Sequence, residues 1–200
     1  MLGFLAILVA CRGCGEPPPP PAFDPADHYG GVFSARDAVI GGEVGALAEA
    51  GRAIDATLPE ELPAQAQLAV DRMHGAAGFL VVAEDLEEGA DAVVELGRAC
   101  GECHRAMGRA FEASRLVDGL AAPGSHAEAA DQAWAALVAG DDAALHAALA
   151  RFDAALGPAQ DPLAPRAEEP PADAYAGVLT RCAPCHAERG VTLKRTPGSP

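Results

Sequence analysis

This chain is poor in aromatic residues and in positive charge, and its one N-terminal apolar run is short. Its 200 residues include one tryptophan, two tyrosines and six phenylalanines, although half of all residues are hydrophobic. Alanine supplies much of the remaining apolar content, which suits helices in close contact. Lysine and arginine number 14 against 29 acidic residues, a formal net charge of -15. This charge disfavours nucleic acid as a partner and favours a cationic protein surface.

The apolar run at residues 1–10 is too short to span a bilayer. It fits the hydrophobic region of a secretory signal peptide, although no basic residue precedes it. Leu8-Val9-Ala10-Cys11 resembles a bacterial lipobox, so Cys11 is the predicted site of lipid attachment after cleavage. A fortuitous apolar N-terminus is the alternative interpretation.

Residues 11–27 are predicted to form a lipidated, proline-rich tether. Five consecutive prolines, Pro17 to Pro21, favour an extended polyproline segment. Such a semi-rigid spacer would hold a folded body away from a membrane, and a leader without a mechanical role is the alternative. Cys14 is left over as either a free thiol or a second modified position.

The rest of the chain has the apolar spacing of helices and no sustained strand alternation. Pro123-Gly124 divides it, and Ser125 with Glu128 three residues later is typical of a capping box at a helix start. We therefore predict an all-α protein of two tandem helical-bundle units. The units are 28–115, with about four helices, and 122–189, with three, followed by a flexible tail at 190–200.

The two predicted units share an internal pattern. His28 lies fourteen residues before Gly42, and His126 lies fourteen residues before Gly140. Apolar residues occupy matching positions between each histidine and its glycine. This pattern indicates a repeat, although two unrelated amphipathic helices would also produce it.

Each predicted unit ends in the pentapeptide Cys-x-x-Cys-His, at residues 100–104 and 182–186. This is the attachment signature for c-type haem. Residues three and four apart share one face of a helix, so both cysteines can form thioethers to one porphyrin while the histidine binds its iron. We therefore predict two covalent haem c groups. Their attachment residues are Cys100, Cys103, Cys182 and Cys185, and their proximal iron ligands are His104 and His186.

A zinc ribbon and a redox dithiol are the alternative uses of these cysteines. A zinc ribbon spaces its cysteine pairs about 15–20 residues apart, whereas 78 residues separate Cys103 from Cys182. A redox dithiol does not need the histidine that follows each pair. Neither alternative explains two histidines in identical positions.

The stretches Leu96 to His104 and Leu179 to His186 resemble those of bacterial di-haem c-type cytochromes. Both place the haem motif late in the C-terminal helix of a unit, as class II (cytochrome c′-like) helical bundles do. The resemblance implies bundle units that each carry one haem. The three-helix second unit departs from the four-helix pattern of that class.

Low-spin haem iron needs a sixth ligand, usually histidine or methionine. The candidates outside the motifs are His28, Met73, His74, Met107, His126 and His146. His28 and His126 are the strongest pair because they begin matching apolar stripes of the repeat. We expect His28 opposite His104 and His126 opposite His186, with Met73 as the alternative distal ligand of the first haem.

These features favour an electron carrier over a catalyst. We expect an exported, lipid-anchored protein on the periplasmic side of a bacterial membrane that exchanges electrons with cationic redox proteins. A di-haem peroxidase-like enzyme would need acid–base groups beside an open iron, and none stands out near either motif. A gas-binding or gas-sensing protein would need a five-coordinate haem, which the class II resemblance permits.

Overall fold

A computed structural model of the chain describes residues 25–58, 62–108, 124–157 and 170–191, with side chains of the first helix from Tyr29 onward. Within these ranges the protein forms seven α-helices and no strand, which confirms the all-α prediction. The helices are α1 (Pro25–Gly41), α2 (Val44–Thr57), α3 (Ala64–Val82), α4 (Leu86–Ala106), α5 (His126–Ala139), α6 (Asp142–Leu156) and α7 (Pro171–Arg189). No described helix is long and apolar enough to cross a membrane.

Several predictions fall outside the described residues. They are the signal peptide at 1–10, the lipid attachment at Cys11 and the tail beyond Val191. The helix α1 begins at Pro25, inside the segment predicted as tether. Proline suits the first turn of a helix because the missing N–H would have no helical partner there.

The start of α5 follows the predicted capping box. The Ser125 hydroxyl oxygen accepts a hydrogen bond from the Glu128 N–H at 3.1 Å. The Glu128 carboxylate accepts one in return from the Gly124 N–H at 2.5 Å. These bonds satisfy backbone donors that a helix start leaves unpaired. They also make His126 the first residue of α5.

The helix α4 lies at the centre of the fold and packs against α1, α2, α3, α5 and α7. Two of its glycines allow α5 to approach closely. A Cβ on Gly97 would lie 2.9 Å from the Leu137 side chain, and one on Gly101 would lie 1.7 Å from the Val138 carbonyl oxygen. Any larger residue at Gly101 would therefore overlap the backbone of α5.

The buried apolar side chains of all seven helices form one continuous cluster. The packing therefore does not confirm two separate units. Within the described residues four helices precede Gly108 and three follow Gly124, as predicted. Cys103 lies in a smaller cluster with Ala66, Ala69 and Val70 of α3.

The two halves of the chain are interlocked. Each motif-bearing helix packs against the opening helix of the other half, α4 against α5 and α7 against α1. Gly101 and Ala183 both follow the first cysteine of their motif. Gly101 contacts the end of α5, and Ala183 lies against Gly42 at the end of α1. Gly42 and its repeat counterpart Gly140 both have positive φ, 74° and 68°, so the two opening helices end alike.

Candidate haem-attachment sites

The first motif lies on the last turns of α4, and its thiols are enclosed. Cys100 and Cys103 are 6% and 7% exposed. Cys100 belongs to the main core, whereas Cys103 packs against α3. Burial raises the pKa of the Cys100 thiol to about 12 and also raises that of Cys103. Both side chains are therefore protonated thiols at neutral pH.

Neighbouring helices hold the first motif on both sides. On the α3 side, Arg72 donates hydrogen bonds to Glu95 at 2.7 Å and to the motif residue Glu102 at 2.5 Å. On the α5 side, Arg105 donates to the Ala139 carbonyl at 2.8 Å. Arg105 is thus a cation at the C-terminal end of α5, where it offsets the partial negative charge of the last carbonyls of that helix. The position of the first motif is thus set by contacts on two faces of α4.

The predicted iron ligands of the first haem are only partly described. His104 is half-buried on the last turn of α4. His28 lies in the first turn of α1, which packs against α4, but its side chain is outside the described residues. The pairing of these two histidines therefore stays a prediction.

The other candidate ligands differ in their surroundings. Met73 is 2% exposed on α3 and shares the main core with Cys100. His74 instead places its Nδ1 atom 2.6 Å from the Asp55 carboxylate, between α3 and α2. His146 is exposed on α6. Met73 therefore keeps its place as the alternative at the first haem, whereas His74 is engaged at the surface.

The second motif opens into a cleft of about 260 Å³. Its residues Cys182, Cys185 and His186 are all half-buried on α7. The cleft is lined by His126, Phe152, Leu156, Val178, Arg181, Cys182, Pro184, Cys185, His186 and Glu188. Pro184 lies inside the helix and has no N–H to donate to the preceding turn, which weakens α7 beside the cleft.

The cleft brings together the two histidines predicted to ligate the second haem. The ring centres of His126 and His186 lie 6.3 Å apart with the planes tilted by 52°. Two imidazoles bound to one metal from opposite sides, each by a bond of about 2 Å, have ring centres about 6 Å apart. The buried Nδ1 of His186 has no hydrogen-bond partner among the described residues. The separation of the two rings fits two imidazoles that bind one metal ion.

The protonation of the second site also suits metal binding. Burial lowers the pKa of His126, and the nearby charges of His186 and Arg189 lower it further. His126 is therefore a neutral imidazole at pH 7, the form that binds a metal. Burial raises the pKa of Cys182 to about 11, although the Arg36 charge acts against this rise.

The geometry does not favour the zinc or dithiol interpretations. The two cysteine pairs lie on different helices, α4 and α7. Across the described ranges, no group of three or more His, Cys, Asp or Glu side chains converges as ligands of one metal ion. A reactive dithiol has a lowered thiol pKa, whereas burial raises those of Cys100 and Cys182.

The sequence did not predict that α6 forms one wall of the second site. Phe152 and Leu156 of α6 line the cleft, and Phe152 lies edge-on to His126 with ring centres 5.9 Å apart. Their helical spacing marks them as an apolar face. The spacing carries no signal for which site that face covers.

Comparison of the chain with protein-family models, curated proteins and solved structures finds no match. The two motifs and their surroundings in this fold are therefore the features that indicate a function.

Proposed function

We propose that this protein is a di-haem c-type cytochrome that transfers electrons at the periplasmic side of a bacterial membrane. The observation that carries the proposal is the second motif. Its cysteines and His186 border a cleft that His126, Phe152 and Leu156 also line, with 6.3 Å between the two imidazole rings. A covalent haem site needs this combination of two thiols, a proximal ligand and room beside them.

Each residue has a distinct role in the proposal. At the second site Cys182 and Cys185 would anchor the porphyrin, and His186 and His126 would bind its iron. At the first site Cys100, Cys103 and His104 do the same work, with His28 or Met73 as the sixth ligand. When bound, haem supplies an iron that alternates between ferric and ferrous states and so carries one electron.

Ligation from both sides favours electron transfer over catalysis. An iron held by two imidazoles has no open position for a substrate, and changing its charge requires little rearrangement. The helices α5 and α7 hold the two histidines of the second site beside one cleft. The formal net charge of -15 favours redox partners with cationic docking surfaces, whose approach such a charge accelerates.

The second candidate function is the binding of a small gas or a peroxidase-like reaction. Either function would belong to the first site. Either function requires a haem iron with an open position. A reduced-minus-CO optical spectrum distinguishes the candidates. We expect no CO-induced change at the second haem, and a change at the first haem alone would assign gas binding to that site.

Mass spectrometry tests haem attachment directly. Protein matured in a haem-attaching periplasm should carry two haem additions that survive acid–acetone extraction. The paired variants C100S/C103S and C182S/C185S should each retain one addition, and the control C14S should retain two. Bound zinc, or fewer than two additions in the unaltered protein, would contradict the proposal.

Membrane attachment through Cys11 is tested separately. Labelled palmitate should enter the protein and should be lost in C11S but retained in C14S. A mature protein with an unlipidated N-terminus would remove the anchor from the proposal. It would leave the electron-transfer function intact.

A further inference from the structure

The helix α3 carries three large apolar side chains that face solvent. Leu68, Phe79 and Val82 are 71%, 68% and 67% exposed. Their spacing along the chain places them on one face of a helix with 3.6 residues per turn. Within the described residues α3 packs mainly against α2 and α4, and neither covers this face. Several exposed apolar side chains on one face indicate an interaction surface, which we call the α3 face.

Two glycines of α3 lie between these apolar side chains. A Cβ on Gly75 or Gly78 would meet no atom within 4 Å. Glycine inside a helix lowers its stability relative to alanine, and no packing within the described residues requires glycine at either position. On α4, by contrast, Gly97 and Gly101 admit α5. Close approach of a second helix backbone would make the same use of the α3 glycines.

The α3 face is self-complementary about Gly75. Leu68 lies seven residues before Gly75, and Val82 lies seven residues after it. When two copies of α3 cross antiparallel at Gly75, Leu68 of each copy therefore meets Val82 of the other. Phe79 of each copy opposes Asp71 of the other, beside the crossing point. A two-fold arrangement makes each of these contacts twice.

The charged residues of α4 run beside the α3 face. They form one stripe at helical spacing, namely Asp91, Glu95, Arg98 and Glu102. Arg72 of α3 donates hydrogen bonds to Glu95 and Glu102, so the stripe follows α3. Arg98 lies between these two acids and is level with Arg72, before Gly75. Asp91 lies one turn before Glu95 in the antiparallel helix, and so on the other side of Gly75.

The same two-fold arrangement therefore places Arg98 of each copy opposite Asp91 of the other. Both side chains are exposed, and neither forms an ion pair within the described residues. Opposite charges at the rim of an interface fix its register and disfavour other orientations. The charge pattern beside α3 thus fits a second copy of this chain, although the formal net charge of -15 opposes association at long range.

We propose that the α3 face binds a second copy of this chain, as an antiparallel pair of α3 helices that cross at Gly75. The inference goes beyond the proposed haem function and does not depend on it. A helix of 19 residues is about 28 Å long. Two such helices and their flanking charges bury about 1,000 Å² in total, near the lower limit of stable interfaces. The dimer should therefore dissociate in the micromolar range.

Sedimentation velocity of the full chain over a range of concentrations tests the proposal. The C11S form with a reductant is used, so that neither a lipid nor a disulfide drives association. L68E and V82E each place a carboxylate in the apolar contact and should weaken dimerisation at least about tenfold. V191E is the matched control, because Val191 is 48% exposed but lies after α7. Circular dichroism checks that each variant is folded.

A charge exchange tests the two-fold register. R98E places an acid opposite Asp91 of the other copy and should weaken dimerisation about fivefold. D91R/R98E restores opposite charges across the two-fold axis and should recover the affinity. A chain that stays monomeric up to about 500 µM, or dimerisation that L68E leaves unchanged, would overturn the proposal. Failure of D91R/R98E to recover what R98E loses would overturn the antiparallel pairing at Gly75.

Discussion

The two Cys-x-x-Cys-His motifs have the same five-residue pattern and different surroundings. The thiols of the first are enclosed by α3 and the main core. Those of the second are half-buried at the edge of a cleft that His126 also lines. The shared residues determine the chemistry available at each site. The helices packed around them determine access to that site.

Residues inside the motifs account for part of this difference. Gly101 admits the backbone of α5, and Glu102 pairs with Arg72 on α3. The equivalent positions of the second motif hold Ala183 and Pro184. Ala183 packs against Gly42 at the end of α1, and Pro184 removes a helix hydrogen bond beside the cleft. The first motif is therefore tightly held and the second is open.

Removing His126, the proposed distal ligand of the second site, should have the largest effect. We expect H126A to convert the proposed second haem from low-spin to high-spin, because among the described residues His186 is the only other histidine that lines the cleft. Optical and EPR spectra of the C100S/C103S background measure this change. H146A, at an exposed histidine of α6, is the control and should leave the spectra unaltered. A second haem that stays low-spin with unchanged g-values in H126A would contradict the ligand assignment.

A glycine-to-alanine substitution on each motif-bearing helix, α4 and α7, should have opposite effects on the free energy of unfolding. G101A places a Cβ 1.7 Å from the Val138 carbonyl oxygen and should lower the free energy of unfolding by about 3 kcal/mol. G177A on α7 meets no atom within 4 Å and should raise it by up to about 1 kcal/mol. Urea denaturation measures both values. Equal effects would show that α4 and α5 are not in close contact at the first motif.

Thiol reactivity of the haem-free protein measures the enclosure directly. The thiolate is the reactive form, and the pKa values of about 12 for Cys100 and about 11 for Cys182 differ by about one unit. Cys182 should therefore react with iodoacetamide about threefold faster than Cys100, because the more basic thiolate is also the better nucleophile, and both rates should rise with pH. Peptide mass spectrometry of timed samples measures the rates. Similar rates would contradict the enclosure of the first motif.

Loss of the ion pairs on the outside of the first motif should have the smallest effect on the free energy of unfolding. Arg72, Glu95 and Glu102 are partly exposed, so water screens their attraction. R72Q should lower the free energy of unfolding by less than about 1 kcal/mol, and the loss should shrink at high salt. Thermal unfolding at two salt concentrations measures it. A larger loss independent of salt would mean that Arg72 supports the motif by packing.

Local signals in the sequence predicted much of this structure. Helix starts depend on a few adjacent residues, so Ser125 and Glu128 were sufficient to place the start of α5. The matching positions of His28 and His126 in the repeat predicted that both are iron ligands. The ring of His126 lies close to that of His186, as this prediction requires, and iron ligation itself stays a prediction.

Long-range features could not be predicted in the same way. Arg36 of α1 and Asp131 of α5 form a buried ion pair although they are 95 residues apart, and neither has a local pattern that indicates a buried partner. An apolar stripe shows which face of a helix is buried but not which helix covers it. The sequence predicted two tandem units but not whether they are separate domains, and in the described residues the apolar faces of all seven helices meet in one core.

The interlocked halves also constrain the order in which the chain can fold. The opening helix α1 packs against the last helix α7, so its apolar face cannot be fully covered until nearly the whole chain is present. Helical proteins usually fold quickly because most of their contacts are local. Here the contact between α1 and α7 must bring distant segments together, which costs loop-closure entropy. A chain emerging in order from its N-terminus therefore keeps part of α1 exposed until α7 has emerged.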